Sequence, residues 1–341
     1  MKKSNFHKVI LLGLTALLLL SGCASSAVIQ TPTVSLSQTP LSETATAFSP
    51  APATQTSAPP TATEIPRSSI ERVLIISVDG LRPEAISLAP MPNVQKLMES
   101  GAYSLTAQTI YPSSTLPAHS SMLTGLCPAK HGIDWNDYLP RNGYAQGPSL
   151  FEIAHNAGLK TVMIVAKEKL QQITPPENLD VYQFVNDRDR VVAEVAAPIL
   201  AEGFDLAFVH LALVDILGHE YGWLSGDQLI GARHADEAIG VLLSALDEAG
   251  LREGTLIIVT ADHGGEGTSH GGKKMTETTI PWVLQHASLN PGAFLHPISI
   301  TDTAATAALA LNLPIPAIWD GIPALEAFGE NPPTRAELPC Q

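Results

Sequence analysis

Positive charge is scarce in this chain. Its 341 residues carry 19 Lys and Arg against 33 Asp and Glu, a formal net charge of −14. No Lys/Arg cluster is present to grip a phosphate backbone, which excludes nucleic acid as the main partner. An acidic protein can still bind anions locally if metal ions supply the positive charge. Cysteine is equally sparse, with only Cys23, Cys127 and Cys340. Cys127 lies mid-chain and Cys340 beside the C-terminus, and the sequence leaves their pairing open. No internal repeat is visible. The longest apolar stretch near the start, Val9 to Leu20, has twelve residues, too few to span a bilayer as a helix.

That stretch follows Lys2, Lys3 and Lys8 and runs into Leu20-Ser21-Gly22-Cys23. The arrangement resembles a bacterial lipoprotein signal, which implies that residues 1–22 are a signal peptide and that lipid is attached at Cys23. The expectation is an exported protein, anchored by that lipid alone at the outer face of a membrane. Residues 23–69 are dominated by Thr, Pro, Ser and Ala. Such a segment cannot bury enough apolar surface to offset its ordering entropy and reads as a tether. The remaining 70–330 region is large enough for one catalytic domain with a single core.

Arg72 to Val78 is a continuous apolar run rich in β-branched residues, ending in Asp79-Gly80. That is how a strand buried on both faces of a parallel sheet reads. Similar runs recur at Thr161 to Val165, Leu206 to Leu211 and Thr255 to Thr260. Helical patterns between them each stop at a glycine (Gly101, Gly158, Gly203 and Gly250) placed for a left-handed cap. Strands alternating with helices predict an α/β fold with a mostly parallel central sheet covered on both sides. Active sites in such sheets gather beyond the carboxyl ends of the strands.

Candidate ligands stand at those ends. They are Asp79, then Asp215 and His219 at i, i+4 spacing, then Asp262-His263-Gly264-Gly265, then His270-Gly271-Gly272. Three carboxylates and three imidazoles form the mixed oxygen and nitrogen set that suits two zinc-like cations. Thr115 lies two residues before Pro117, which suits the first turn of a helix. A hydroxyl there meets free N–H groups and the positive end of the helix dipole, which favour its alkoxide and an incoming phosphate. His119, His131, His210 and His286 read as structural. Of the aromatics near the motifs, Trp135, Tyr138, Tyr221 and Trp223, most read as core packing.

These motifs resemble, in order and context, those of type I phosphodiesterases and nucleotide pyrophosphatases of the alkaline-phosphatase superfamily. The resemblance rests on Asp79-Gly80, the run from Tyr111 through Thr115 to Ile133, Asp215-x-x-Gly-His219 and Asp262-His263-Gly264. It implies an alkaline-phosphatase-like three-layer α/β/α sandwich and two divalent metals, zinc expected. Asp215, His219 and His270 would hold one; Asp79, Thr115, Asp262 and His263 would hold the other. Thr115 would be the nucleophile, passing through a phosphothreonine, and Asn136 would donate to a phosphoryl oxygen. The substrate would be a small phosphate ester, of nucleotide or phospholipid-headgroup type.

Two departures qualify the resemblance. Where relatives have an aromatic-Pro-Gly segment, this chain has Lys167-Glu-Lys169, similar to the Lys-x-Lys of phosphonoacetate hydrolases and the Lys-x-Arg of some Thr-dependent alkaline phosphatases. Two ammonium groups would favour a substrate with an extra negative charge, a monoester dianion (alkaline-phosphatase activity) or a carboxylate-bearing phosphonate (phosphonoacetate-hydrolase-like activity), over a diester; the alternative is a pair of lysines opening a solvated helix. Only six residues separate His263 from His270, leaving no room there for a large cap domain. Thr115-Leu-Pro-Ala-His119 lacks the pattern of a sulfatase nucleophile. An envelope headgroup transferase and an inactive surface binding module are the other readings.

Overall fold

The computed structural model describes residues 69–332, 334–335 and 337–341. The expected signal peptide, Cys23 and the tether before Ser69 lie outside the described residues. The chain divides after Thr61, and all the described residues lie in the compact unit Ala62–Gln341.

Among the described residues, eight strands and ten α-helices follow the chain. The strands are β1 Arg72–Val78, β2 Ala102–Gln108, β3 Thr161–Val165, β4 Val181–Phe184, β5 Leu206–Leu211, β6 Thr255–Thr260, β7 Thr279–Gln285 and β8 Gly292–Ala293. The helices are α1 Pro83–Leu88, α2 Pro92–Ser100, α3 Thr115–Thr124, α4 Pro128–His131, α5 Leu150–Asn156, α6 Asp189–Ala201, α7 Leu213–Tyr221, α8 Gly226–Glu248, α9 Met275–Thr278 and α10 Asp302–Ala310. All these strands join one sheet in the order β4-β3-β5-β1-β6-β7-β2-β8. From β4 to β6 the pairing is parallel; β7 runs antiparallel to both β6 and β2.

β1 is central because both of its faces are apolar. Residues 73–78 are fully buried between β5 and β6, and β3, β5 and β6 are buried along their whole length. The helices fall into two sets that pack within themselves, α8 with α1, α2, α6 and α7, and α3 with α4, α5 and α10. The sheet between them completes the three-layer sandwich. Each face of a buried strand thereby meets a helix, which is why these strands show no polar alternation.

Gly158, Gly203 and Gly250 take the left-handed backbone expected after their helices. Gly101 does not: its φ is −131°. The glycine is needed there for space, since a Cβ would lie 2.1 Å from the Leu284 carbonyl oxygen on β7. Cys127 and Cys340 are disulfide-bonded across 213 positions, with their Cα atoms 5.3 Å apart. No helix among the described residues is long and apolar enough to cross a membrane.

Candidate active site

Three adjacent strand ends deliver the acidic groups. Asp79 follows β1, Asp262 and His263 follow β6, and Asp215 lies in the first turn of α7 just beyond β5. Ser77 is in register with both His210 and Thr260, so the three ends lie level. Gly80 lets the chain turn away with φ +74°, and a Cβ there would come within 3.0 Å of Asp215 Cα. Any side chain at this position would push the Asp79 turn off α7. Gly265 permits an equally close pass, because its Cβ would meet the Trp223 ring at 2.2 Å.

The six predicted groups come together as two trios. Asp79, Asp262 and His263 form one and Asp215, His219 and His270 the other, with the candidate donor atoms of each trio within 4.8 Å of one another. In the first, His263 Nε2 lies 3.5 Å from Asp79 Oδ1 and 3.2 Å from Asp262 Oδ2. In the second, His219 Nε2 and His270 Nε2 each lie 3.5 Å from Asp215 Oδ1.

All three imidazoles are oriented the same way. Nδ1 of His263 donates to Gly264 O, that of His219 to Thr268 O and that of His270 to Ser113 O, at 2.8–3.0 Å. A neutral imidazole donating from Nδ1 keeps a lone pair on Nε2, and here every Nε2 turns inward. The Nε2 atoms of His219 and His270 are 3.1 Å apart. Two lone pairs facing at that distance repel unless a cation lies between or beside them. Burial draws the imidazoles of His263 and His270 down, the latter to about 4 with His263 adding to the effect, so both are neutral near pH 7.

Metal ions fit this constellation. Asp79 Oδ1, Asp215 Oδ1, Asp262 Oδ2 and His263 Nε2 are buried without any hydrogen-bond partner. Buried polar atoms are rarely left so. Burial, followed by the charge of Asp79, pushes the Asp262 carboxyl up to about 7, and a cation beside it would favour the ionised form. A third cluster, Cys127, Asp320 and Cys340, is not comparable, because its sulfurs are spent in the disulfide.

Thr115 is the first residue of α3, after the N-cap Ser114, and is almost wholly buried. Lys167 approaches it. The Lys167 ammonium lies 3.3 Å from Thr115 Oγ1, 2.7 Å from Asp79 Oδ2 and 2.6 Å from Asp215 Oδ2, joining the two trios. Burial would lower its pKa, but Asp79, Asp215 and Asp262 hold it above the ordinary lysine range. Asp79 is likewise raised by burial, yet Lys167 and His210 bring it well below its usual value. Lys169 donates to the backbone oxygen of Asn136 at 2.8 Å and to Oδ1 at 3.1 Å, and its pKa is lowered by burial and by Lys167. Leu116 N–H also donates to Asn136 Oδ1, at 2.9 Å. With Oδ1 engaged twice, the Asn136 NH₂ group is the part left to donate. A solvated helix opening is therefore not where these lysines lie; Lys167 has only 17% of its side chain accessible.

Sequence reasoning missed the roles of two histidines. His210 accepts Ala166 N–H at Nδ1 and donates from Nε2 to Asp79 Oδ2 at 2.9 Å. His119 Nδ1 lies 2.8 Å from Thr115 O and 3.4 Å from Asp262 Oδ2, and Ser77 Oγ sits 2.8 Å from its Nε2. Both orient candidate ligands; the available signals were a histidine inside a buried strand end and the i+4 spacing from Thr115. His131 and His286 pair with nearby serines and backbone, as structural residues would. Among the aromatics, Trp223 is buried and donates to Gly80 O, Trp135 packs on the core, Tyr138 is half-buried, and Tyr221 is 49% exposed rather than core. A cavity of about 730 Å³, lined by Arg82, Ile86, Met98, Tyr103, Leu105 and Met275 among others, shares no residue with the trios.

Fold and site together define the class: an alkaline-phosphatase-like α/β protein with a carboxylate and imidazole centre at its strand ends. Within that class the chain belongs to the type I phosphodiesterase / nucleotide pyrophosphatase family, whose model matches residues 73–288. Members of this family are phosphoester hydrolases. The chain is 27% identical over 216 residues to the venom phosphodiesterase of Macrovipera lebetinus, covering 57% of this chain and 25% of that protein. It is 28% identical over 291 residues to the catalytic subunit of human GPI ethanolamine phosphate transferase 2, covering 78% of this chain and 29% of that protein. Murine ectonucleotide pyrophosphatase/phosphodiesterase 5, solved in an inactive form with AMP, superposes with a TM-score of 0.60 at 15% identity, over 72% of this chain and 96% of that one. The chain thus spans 25% and 29% of the length of these two curated relatives.

Proposed function

We propose that this protein is a two-metal phosphoester hydrolase in which Thr115 is the nucleophile, anchored at the outer face of a membrane through lipid on Cys23. The observation that carries this reading is the set of buried, unpartnered donor atoms on Asp79, Asp215, Asp262 and His263 beside a threonine at a helix N-terminus. Asp215, His219 and His270 would hold one cation; Asp79, Asp262, His263 and Thr115 would hold the other. Bound there, divalent cations, zinc by the donor set, supply Lewis acidity toward the hydroxyl, the phosphoryl oxygens and the leaving oxygen.

The protein's own groups account for the rest. Thr115 Oγ1, once deprotonated, attacks phosphorus, the bond to the leaving alkoxide breaks, and a phosphothreonine remains. The Lys167 ammonium, 3.3 Å from that oxygen, stabilises its negative charge. The Asn136 NH₂ group, left free because Oδ1 accepts from Leu116 N–H and Lys169, donates to an equatorial phosphoryl oxygen. Water then attacks the same phosphorus, releasing phosphate or a phosphomonoester and regenerating Thr115.

Family membership favours diesters and pyrophosphates such as nucleotides. The placement of Lys167 and Lys169 favours a second reading, a dianionic monoester, because both ammonium groups reach the Thr115 and Asn136 pair. Zinc-loaded protein is assayed with p-nitrophenyl phosphate and bis-p-nitrophenyl phosphate, in the parent, Thr115→Ala and Lys167→Ala/Lys169→Ala. Turnover retained by Thr115→Ala would falsify the nucleophile assignment. A monoester preference lost selectively in the lysine variant establishes the second reading, and a diester preference indifferent to the lysines rejects it.

A further inference from the structure

We infer that the C-terminal tail, fastened by the Cys127–Cys340 disulfide, is a clasp that positions the nucleophile segment; this rests on Thr115 being the nucleophile. The segment from Thr109 to Cys127 runs from the end of β2, through Thr115, to just past α3. The tail grips it at both ends. Near its start, Tyr111 N–H donates to Cys340 O and the Gln341 side-chain amide donates to Thr109 O, both at 3.0 Å. At its far end, Cys127 carries the disulfide to Cys340. One short piece of chain therefore closes the loop that presents Thr115.

The far end is braced further. Cys127 N–H donates to Asp320 Oδ2, Lys130 pairs with Asp320 Oδ1, and the amides of Asp320 and Gly321 donate to Gly125 O. The near end is held by Thr109 N–H donating to Thr278 O and Ser113 Oγ donating to Gly272 O, both at 2.8 Å, while Tyr111 between them stands 46% exposed. Its amide bond to Cys340 lies four residues before the nucleophile. The tail does not hold this conformation by burial, for Cys340 is only half-buried. Cys340 also sits at φ +68°, a left-handed backbone that non-glycine residues adopt at a cost. The disulfide fastens the tail beside the nucleophile loop, and Arg335 pairs with Asp302 five residues before Cys340. His270 Nδ1 donates to Ser113 O at 2.9 Å, between Tyr111 and Thr115 in the nucleophile segment, so a shift there would move Thr115 relative to the second trio. Misplacing a reacting group by about 1 Å costs roughly 100-fold in rate.

The test compares the full chain with Cys127→Ser/Cys340→Ser and with the parent reduced in place by a phosphine, each zinc-loaded and checked for intact secondary structure. Two quantities are read: kcat and KM on the preferred nitrophenyl ester, and amide hydrogen exchange across 109–118 against β5 and β6. The clasp predicts kcat lowered about ten-fold or more with KM within about two-fold, and faster exchange at Tyr111 and Leu116 with the central strands unchanged. Unchanged exchange in 109–118 overturns it, as does faster exchange with unchanged kcat, which would leave the disulfide a fastener of the tail alone. If the serine variant fails to fold, in-place reduction supplies the same two readings. Thr115→Ala, measured alongside, separates a failed clasp from a failed nucleophile assignment: retained turnover there removes the assignment, and with it the clasp, whatever the exchange shows.

Discussion

The two donor trios carry similar groups on different supports. Asp79, Asp262 and His263 are fully buried on the ends of the paired strands β1 and β6. Their carboxylates are held from behind: His210 and Lys167 meet Asp79 Oδ2, and Gly80 N–H donates to Asp262 Oδ1 at 3.0 Å. Asp215 and His219 ride on a single helix, α7, and His270 arrives on a loop; the His219 side chain is 47% accessible. Groups on packed strands are fixed before a ligand arrives, whereas groups on a helix face and a loop yield locally. The first trio is thus the rigid reference, and the second is the side that opens to solvent.

The heaviest loss falls on the residue between the trios. With Thr115 as the proposed nucleophile, Thr115→Ala loses on the order of 10⁴-fold or more in kcat/KM, measured on zinc-loaded protein with metal content read after gel filtration. Asp262→Asn damages the rigid trio and costs roughly 10³-fold in kcat/KM, equivalent to several kcal/mol of charge stabilisation; His219→Ala costs less. Timed chelation separates the two supports directly: release is biphasic, and His219→Ala speeds only the fast phase. Equal release rates for the two equivalents in the parent would show the trios to be equally rigid. His210→Ala removes a support rather than a ligand and lowers metal affinity by about 10–100-fold, read by competition with a chromogenic chelator.

A weaker effect concerns stability and pH away from both trios. Burial lowers the imidazole of His131 to about 4, below its ordinary value near 6.5. The unfolded chain binds this proton first, so the contribution to stability is present above about pH 6.5 and is lost as pH falls toward 4. Between pH 7 and 5 that loss is on the order of 1–2 kcal/mol. Urea midpoints at the two pH values in the parent and in His131→Gln test it, and the variant shows the flatter dependence.

The central parallel strands β1, β3, β5 and β6 were legible as apolar runs, three of which lead into an acid at Asp79, Asp215 or Asp262; β4, which is not buried, was not. The ligand trios were legible for the same reason, with the i, i+4 spacing of Asp215 and His219 as added signal. The antiparallel side was not. β7 contains Pro281, which lacks a ladder donor and argues against an internal strand; the structure absorbs it at the register shift between Ser104 and Ala107 on β2. Lys167 was ambiguous because its ammonium reaches back over the strand ends, and local sequence does not record where a long flexible side chain points. Nor does it bring together cysteines 213 positions apart.

β1 is made first, yet the strands on either side of it begin at Leu206 and Thr255. A chain grown only as far as Glu253 already holds Asp79, Thr115, Asp215 and His219, but not Asp262, His263 or His270. With partners this remote, the sheet closes late. A ribosome partway through this message carries neither trio whole: both are completed only between Asp262 and His270, after about four-fifths of the chain has been made.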